Sequence, residues 1–202
     1  MRYTCITGGP LAENCYVLAD ETTGDAAVID PGFENDRLMA ALKDLNVRLI
    51  LLTHGHFDHI GGAERLREKT GAPIASFETE AALAADPKIN GSLMMLRRPI
   101  ACTVDRLLQD SETFTVGTVP VTVLHTPGHT AGGCCYITPE AVFTGDTLMG
   151  YSIGRCDMPT GDESQLMASL QKLTDLPGDP DICGGHGPVT TLLREKRNNP
   201  YL

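Results

Sequence analysis

The sequence has no tryptophan, only 5% aromatic residues and no apolar run that approaches the ~20 residues needed to span a membrane. Its first residues, MRYTCITGGPLAENCY, place glycine, proline and glutamate where a secretory signal peptide has a continuous apolar core. Basic residues are few, because 16 Lys and Arg stand against 26 Asp and Glu and give a net charge of -10. This charge opposes nonspecific binding to nucleic acid or anionic membranes. We therefore expect a soluble, cytoplasmic protein without nucleic-acid or membrane partners, and the sequence leaves its oligomeric state open.

The sequence also lacks a C-x-x-C pair, and its seven cysteines are an odd number. Cys134 and Cys135 are adjacent, which makes a bond between them unfavourable. We interpret the cysteines as reduced and mostly buried thiols. A chain of 202 residues with 42% hydrophobic residues can bury about 70% of its unfolded surface. We expect residues 1–202 to form a single domain.

Short strands and helices alternate along both halves of the chain. Each half has a buried strand that runs into an aspartate, DAAVID and EAVFTGD, and a histidine cluster at a strand end, THGHFDH and HTPGHT. This pattern predicts an α/β fold in which two similar halves stack sheet on sheet with the helices outside. The predicted strands are 14–20, 26–30, 47–54, 73–77, 112–117, 119–126, 133–138 and 140–146, and the predicted helices are 34–46, 61–71, 78–86 and 163–173.

Two segments have no clear period. Residues 147–162 are predicted to form a loop. Residues 87–104, PKINGSLMMLRRPIACTV, contain the apolar run 93–96, which is either a flap over a site or core filling. We favour core filling.

The stretch LLTHGHFDHIGG concentrates three of the six histidines at the end of a predicted strand. His54 and His56 are two positions apart, so on an extended chain their side chains point the same way and can bind one ion. Asp58 and His59 come after the strand, where the turning chain can direct them at a second nearby point. Imidazole and carboxylate ligands with open water positions are typical of a catalytic metal site.

Further candidate ligands follow apolar strands in the second half. They are His129 in HTPGHT, Asp146 in FTGDT and His186 in CGGHGP. A single histidine is more often a hydrogen-bonded core residue, but all six histidines here lie at strand ends beside glycines. His125 precedes Thr126-Pro127, and we interpret it as a structural or supporting residue instead of a ligand.

These motifs resemble the metallo-β-lactamase-fold hydrolases. THGHFDH matches the family motif T-H-x-H-x-D-H, and HTPGHTAGG, FTGDTL and GGHGP follow in the family's order, so the resemblance covers nearly the whole chain. It implies a four-layer αβ/βα sandwich with the metal site at one edge of the two sheets.

The resemblance also assigns roles to the ligands. It implies that His54, His56 and His129 hold a first metal ion, that Asp58, His59 and His186 hold a second, and that Asp146 bridges them together with a hydroxide. The cofactors implied are two zinc ions, with iron or manganese as other candidates. Asp58 would be catalytic, because it would bind metal and orient the hydroxide.

Within the family, GYSIGRCDMPTGDE and the tail GHGPVTTLLREKRNNPYL are most similar to short bacterial relatives of glyoxalase II. This likeness implies hydrolysis of a small thioester, such as a hydroxyacylglutathione, or of an ester. The chain ends soon after His186, where longer glyoxalase II enzymes add a domain that contacts glutathione. Arg155 either binds a substrate carboxylate or forms a structural salt bridge. Cys156 either lies near the metals or simply replaces a threonine, and we favour replacement.

Three other functions compete with this prediction. A mononuclear iron persulfide dioxygenase shares the fold and a similar GR-D loop, and it is our main alternative. A binding protein with structural metals would not need a seven-ligand set with open water positions. A β-lactamase fits the fold, but fold alone is weak evidence for a substrate.

Overall fold

The structure is a computed structural model that describes residues 1–33 and 35–202. Residue 34, at which the predicted helix 34–46 begins, lies outside the described residues. In the described part of the chain, no helix has the length and apolar character required to cross a membrane.

The first half of the chain builds a six-stranded sheet in the order β1-β2-β3-β4-β5-β6. The β1-β2 and β2-β3 pairs are antiparallel, and the next three pairs are parallel. The strands are β1 (Arg2–Gly8), β2 (Glu13–Ala19), β3 (Asp25–Ile29), β4 (Asn46–Leu52), β5 (Ile74–Phe77) and β6 (Arg106–Leu108).

The second half builds another six-stranded sheet, in the order β14-β13-β10-β9-β8-β7. In each sheet a parallel pair, β3-β4 and β10-β13, follows antiparallel pairs, so the predicted similarity of the two halves is present in the topology. The strands are β7 (Thr113–Val116), β8 (Val119–His125), β9 (Cys134–Ile137), β10 (Ala141–Gly145), the hairpin β11 (Leu148–Met149) and β12 (Ser152–Ile153), β13 (Asp181–Gly184) and β14 (Thr190–Thr191).

Helices cover the outer faces of the two sheets. The alternation of side chains along the strands shows the layers directly: Leu49 and Leu51 pack between the sheets with Tyr136 and Phe143, whereas Ile50 and Leu52 pack on the other face of the same strand. The four-layer αβ/βα sandwich is thereby confirmed. The helices are α1 (Asp36–Leu42), α2 (Phe57–Ile60), α3 (Ala63–Thr70), α4 (Ala81–Ala85), α5 (Ser92–Leu96), α6 (Glu163–Thr174) and α7 (Leu192–Asn198), with a 3₁₀ turn at Glu78–Glu80.

The prediction that residues 93–96 fill the core is wrong. These residues belong to α5, and the side chains of Met94 and Met95 are 61% and 52% exposed. Only Ser92 of this short helix is buried, so its apolar side chains face outward. The predicted loop 147–162 contains the β11-β12 hairpin, and α1 ends at Leu42, before the predicted end at residue 46.

The cysteine prediction is confirmed, because all seven thiols are free and five of them are buried. Strands β1, β6 and β14 were missed. β1 alternates exposed and partly buried residues and has little apolar content, β6 has three residues and β14 has two, so none of them gives a recognisable hydrophobic run.

Tyr136 joins the two sheets beneath the site, because its hydroxyl donates to the carbonyl oxygen of Leu52 at 2.6 Å in the core. We expect Tyr136→Phe to lower the free energy of unfolding of the metal-free protein by about 1–2 kcal/mol, since a buried acceptor loses its donor. Denaturant unfolding measures this change. Tyr201→Phe, at a ring that is 50% exposed, is the control and should change little. Equal stability of both variants would contradict this role for Tyr136.

Candidate metal centre

The structure brings all seven predicted ligands to one edge of the two sheets. His54 and His56 follow β4, and Asp58 and His59 lie in the short helix α2 directly after them. His129, Asp146 and His186 follow β8, β10 and β13 of the second sheet. Because β4 ends at the same edge as β10 and β13, the two halves of the chain meet at this point.

His54, His56 and His129 form the first ligand group. They are buried, and one ligand atom from each lies within 4.8 Å of the others. His56 turns Nδ1 toward Nε2 of His129, with the two nitrogens 2.9 Å apart. Three converging imidazoles are a common ligand set for zinc.

Asp58, His59 and His186 form the second ligand group, again with ligand atoms within 4.8 Å of one another. Oδ2 of Asp58 lies 3.4 Å from Nε2 of His186 and 3.7 Å from Nε2 of His59. Two of the three ligand groups that geometry defines are therefore the same two sets that the family resemblance implied, and the third consists of Asp30, His54 and His59.

Asp146 lies between the two groups. Its Oδ1 is 3.5 Å from Nε2 of His59, and its Oδ2 is 3.5 Å from Nε2 of His129 and 3.7 Å from Nε2 of His186. Oδ1 thus faces the second group, and Oδ2 faces a histidine of each group. This is the position from which one carboxylate can contact two ions.

Hydrogen bonds on the outer ring nitrogens set the orientation of His54 and His59. Nδ1 of His59 donates to Oδ2 of Asp30 at 3.0 Å. The hydroxyl of Thr53 donates to the same carboxylate at 2.6 Å, so it accepts from Nδ1 of His54 at 3.1 Å. In the metal-binding form of both rings the proton is on the outer nitrogen, and the lone pair of Nε2 faces the centre.

Backbone carbonyl oxygens orient two further ligand rings, those of His129 and His186, in the same way. Nδ1 of His129 donates to the carbonyl oxygen of Arg155 at 2.7 Å, and Nδ1 of His186 donates to that of Leu11 at 3.1 Å. Their Nε2 lone pairs also face the centre.

Several inward atoms lack a hydrogen-bond partner anywhere in residues 1–33 and 35–202. They are Nε2 of His54 and of His59 and Oδ1 of Asp146. Buried polar atoms are normally paired, because leaving one unpaired costs free energy. A set of unpaired lone pairs on imidazoles and a carboxylate fits a divalent cation.

Burial and neighbouring imidazoles keep the first group neutral. Burial and then the charges of His59 and His129 lower the pKa of His54 well below its ordinary value. Burial and His129 lower the pKa of His56 to about 3. Neutral imidazole is the form that binds a metal ion, so both rings are available across the physiological pH range.

The second group is charged instead. Burial opposes ionisation of His59, but Asp146, Asp58 and Asp30 outweigh it and raise its pKa. Burial likewise opposes ionisation of Asp58, but His59 and His186 outweigh it and hold its pKa below the ordinary range. A cation bound here competes with the proton on His59, so binding should release that proton.

Asp30 is a functional residue that we did not predict, although DAAVID was noted as a strand that runs into an aspartate. It lies within ligand distance of His54 and His59. Its oxygens already accept hydrogen bonds from the amide and hydroxyl of Thr53 and from His59. Asp30 therefore orients ligands of both groups.

The remaining predicted residues lie around the centre. His125 stacks on Phe77, with ring centroids 4.0 Å apart, and its Nε2 contacts the carbonyl of Ala131, away from both ligand groups. The guanidinium of Arg155 pairs with Asp157 at 2.6 and 2.7 Å. Cys156 belongs to none of the ligand groups found among the described residues, and its thiol faces the carbonyl of Gly154.

A cavity of about 180 Å³ opens onto the centre. Its apolar wall consists of Leu11, Phe57, Met95 and Met158, and its polar lining includes ligands of both groups together with Asn90 and Arg155. A larger cavity of about 440 Å³ lies between the β9-β10 turn and residues 176–180, but it contains none of the ligand histidines. Of these two cavities, only the smaller one contacts the candidate metal ligands.

Two stacked sheets between helices, with histidine and aspartate ligand groups at one shared edge, define a metal-binding α/β sandwich protein. The family model of the metallo-beta-lactamase superfamily matches residues 8–186, and the chain belongs to this superfamily.

Individual relatives are similar over nearly their whole length. The chain is 39% identical over 197 residues to a Haemophilus influenzae protein named hydroxyacylglutathione hydrolase GloC, an alignment that covers 94% of this chain and 92% of that protein. The fold of the present chain is similar to that in the crystal structure of BLEG-1 B3 metallo-beta-lactamase, with a TM-score of 0.94 and 38% identity. The comparison covers 100% of the present chain and 99% of BLEG-1. The present chain is also similar to TTHA1623, solved in a di-iron-bound form, with a TM-score of 0.85, 35% identity and coverage of 98% and 100%.

We expect chelator-treated protein to take up two zinc ions per chain and to unfold at a higher temperature once loaded. A ligand that binds only the folded state adds about 2.7 kcal/mol of stability at about 100 times its Kd. Elemental analysis and thermal unfolding measure the two effects. His125→Gln should still take up two ions, because its ring lies outside both ligand groups. Uptake of a single ion by the native protein would contradict the two-group assignment.

Proposed function

We propose that the protein is a dinuclear-metal hydrolase that acts on a small thioester or ester. The observation that supports this most directly is that Asp146 faces both ligand groups at the base of one small cavity. When bound, two divalent ions would lower the pKa of water and polarise a carbonyl group, so the reaction would need no serine or cysteine nucleophile.

The chain's own residues position these participants. Asp58 lies in α2 and faces the cavity, where its carboxylate can accept a hydrogen bond from a water molecule and orient it toward a substrate carbonyl. His59 is held behind it by the hydrogen bond from its Nδ1 to Asp30 and by burial. The apolar wall of Leu11, Phe57 and Met158 excludes bulk water from the reacting group.

The size of the cavity supports a small reacting group. Sites that enclose drug-sized ligands commonly have ≈ 300–1,000 Å³, whereas this cavity has about 180 Å³. We infer that the acyl part and the scissile bond enter the cavity and that the leaving group lies outside it. A thioester suits such a site, because its carbonyl is electrophilic and a thiolate leaves readily and binds zinc. The name of the Haemophilus influenzae relative, hydroxyacylglutathione hydrolase GloC, agrees with this class.

We further propose zinc as the metal in both positions, with iron or manganese as alternatives. We also propose that residues 1–202 form a single domain and that the protein is cytoplasmic, without nucleic-acid or membrane partners. Imidazole ligands suit zinc and iron alike, and the similar protein TTHA1623 was solved with two irons. Seven free thiols agree with a reducing compartment.

β-Lactam hydrolysis is a second candidate, because the structure of BLEG-1 B3 metallo-beta-lactamase is similar over the whole chain. A panel of S-lactoylglutathione, short acyl thioesters, aryl esters and penicillins, assayed with the metal-loaded protein, separates these activities. Higher kcat/KM for a penicillin than for every thioester would overturn our proposal. The persulfide dioxygenase alternative instead predicts one iron per chain and oxygen uptake with glutathione persulfide.

Asp58→Ala should lower kcat for thioester hydrolysis by at least ~100-fold while leaving the fold intact, because within residues 1–33 and 35–202 the ion pairs of the Asp58 carboxylate are with His59 and His186 of the centre. Steady-state kinetics and circular dichroism measure the two properties. Asp44→Ala, at an exposed aspartate after α1, is the matched control. Full activity in Asp58→Ala would disprove the assigned role.

Variants of Arg155 and of its partner Asp157 test the predicted contact between Arg155 and a substrate carboxylate. Its pair with Asp157 is 62% and 68% exposed, and such pairs contribute little stability, so the guanidinium can exchange partners. Arg155→Gln should raise KM several-fold for thioesters that carry a carboxylate and leave neutral thioesters unchanged. Asp157→Asn, which frees Arg155, should have the opposite effect.

Arg98→Gln is the control for this pair of variants, because Arg98 is exposed in the segment after α5. An equal change in KM for charged and neutral thioesters would show that Arg155 acts only on the loop structure.

A further inference from the structure

Glu80 is a buried carboxylate outside the ligand groups that connects two of the ligand loops. It ends the 3₁₀ turn before α4 and is 1% exposed. Its Oε1 accepts from the amide of Gly55 at 2.8 Å, and its Oε2 accepts from the amide of Gly132 at 2.8 Å.

These two amides belong to the loops that carry the first ligand group. Gly55 lies between His54 and His56, after β4 of the first sheet, and Gly132 lies three residues after His129, before β9 of the second sheet. One carboxylate therefore spans the two loops from which all three histidines of this group project.

The packing at both contacts requires glycine. A Cβ atom at residue 132 would lie 2.5 Å from Oε2 of Glu80, and a Cβ atom at residue 55 would lie 2.7 Å from the amide nitrogen of Ala84. Both loops thus approach the segment around Glu80 as closely as the backbone allows.

Stability of the sandwich alone does not account for this arrangement. Burying a carboxylate is costly, and burial raises the pKa of Glu80 while the amides of Gly55 and Gly132 oppose that shift. The two sheets are already joined nearby, because the amide of Cys134 donates to the carbonyl of Thr53 at 2.9 Å and Tyr136 donates to Leu52.

We propose that Glu80 is a positioning residue for the first metal ion, because it fixes the separation between the loop of His54 and His56 and the loop of His129. Ligand geometry controls affinity, and loss of a residue that orients ligands typically weakens metal binding 10–100-fold. Asp58, His59 and His186 make no hydrogen bond to Glu80 among those recorded for the described residues. The inference concerns metal binding and does not depend on the substrate class.

Glu80→Gln tests the inference without a change in side-chain size. The amide can accept from one loop, but its NH₂ group then faces the N–H of the other loop. We expect one of the two ions to bind about 10–100-fold more weakly and the other to bind as before. Competition with a chromophoric chelator gives both affinities, and Co²⁺ absorption distinguishes the sites by comparison with Asp58→Ala, which lacks a ligand of the second group.

Glu78→Gln is the matched control, because Glu78 is exposed and lies two residues before Glu80 in the same turn. It should leave both affinities unchanged. Equal weakening of both ions, or of neither, in Glu80→Gln would overturn the proposal.

A measurement on the native protein covers the case in which Glu80→Gln fails to fold. Hydrogen exchange of ¹⁵N-glycine-labelled, metal-free protein should show the amides of Gly55 and Gly132 protected to the same extent. Exchange of either amide at the rate of an open loop would overturn the proposal. If the native protein binds two ions and responds as expected but hydrolyses no thioester, only the proposed function fails.

Discussion

The site depends on hydrogen bonds that point away from it. Four ligand histidines donate Nδ1–H to an acceptor outside the centre, so that a lone pair is directed inward without any choice of tautomer. Two of these acceptors are backbone carbonyls and the others depend on Asp30. Because backbone positions are set by the packing of the two sheets, the ligand geometry is a property of the whole sandwich.

The charge states of the carboxylates at the centre depend on their burial and on their neighbours. Asp30, Asp58 and Asp146 are carboxylates in contact with histidines, and uncompensated buried charge is costly. Glu13 lies beside them, and burial together with these three aspartates raises its pKa to about 10, so it remains neutral. In the metal-bound form, three negative charges and neutral imidazoles would balance two divalent cations closely. Without metal, the proton on His59 offsets part of this negative charge.

The ligands could be predicted from the sequence because their spacing follows from metal geometry. The order His54, His56, Asp58 and His59 requires an extended strand end followed by a turn, and such a pattern stands out in any sequence. Asp30 and Glu80 leave no such pattern, since each acts on a backbone amide or an outer nitrogen that only folding brings near. The same contrast holds for the fold, where apolar strands were found and the half-exposed β1 was not.

The apolar residues that line the cavity were not predicted from the sequence. Met95 and Met158 come from the two segments without a clear period, 87–104 and 147–162, and Met95 was assigned to the core although it is half exposed at the cavity. A metal ion accepts few geometries, so its ligands are constrained in type and spacing. A cavity wall needs only apolar surface of the right volume, which many sequences provide. Proteins with the same ligand set can therefore differ in substrate through residues that no motif contains, and selectivity in this protein must be sought at Leu11, Met95, Arg155 and Met158.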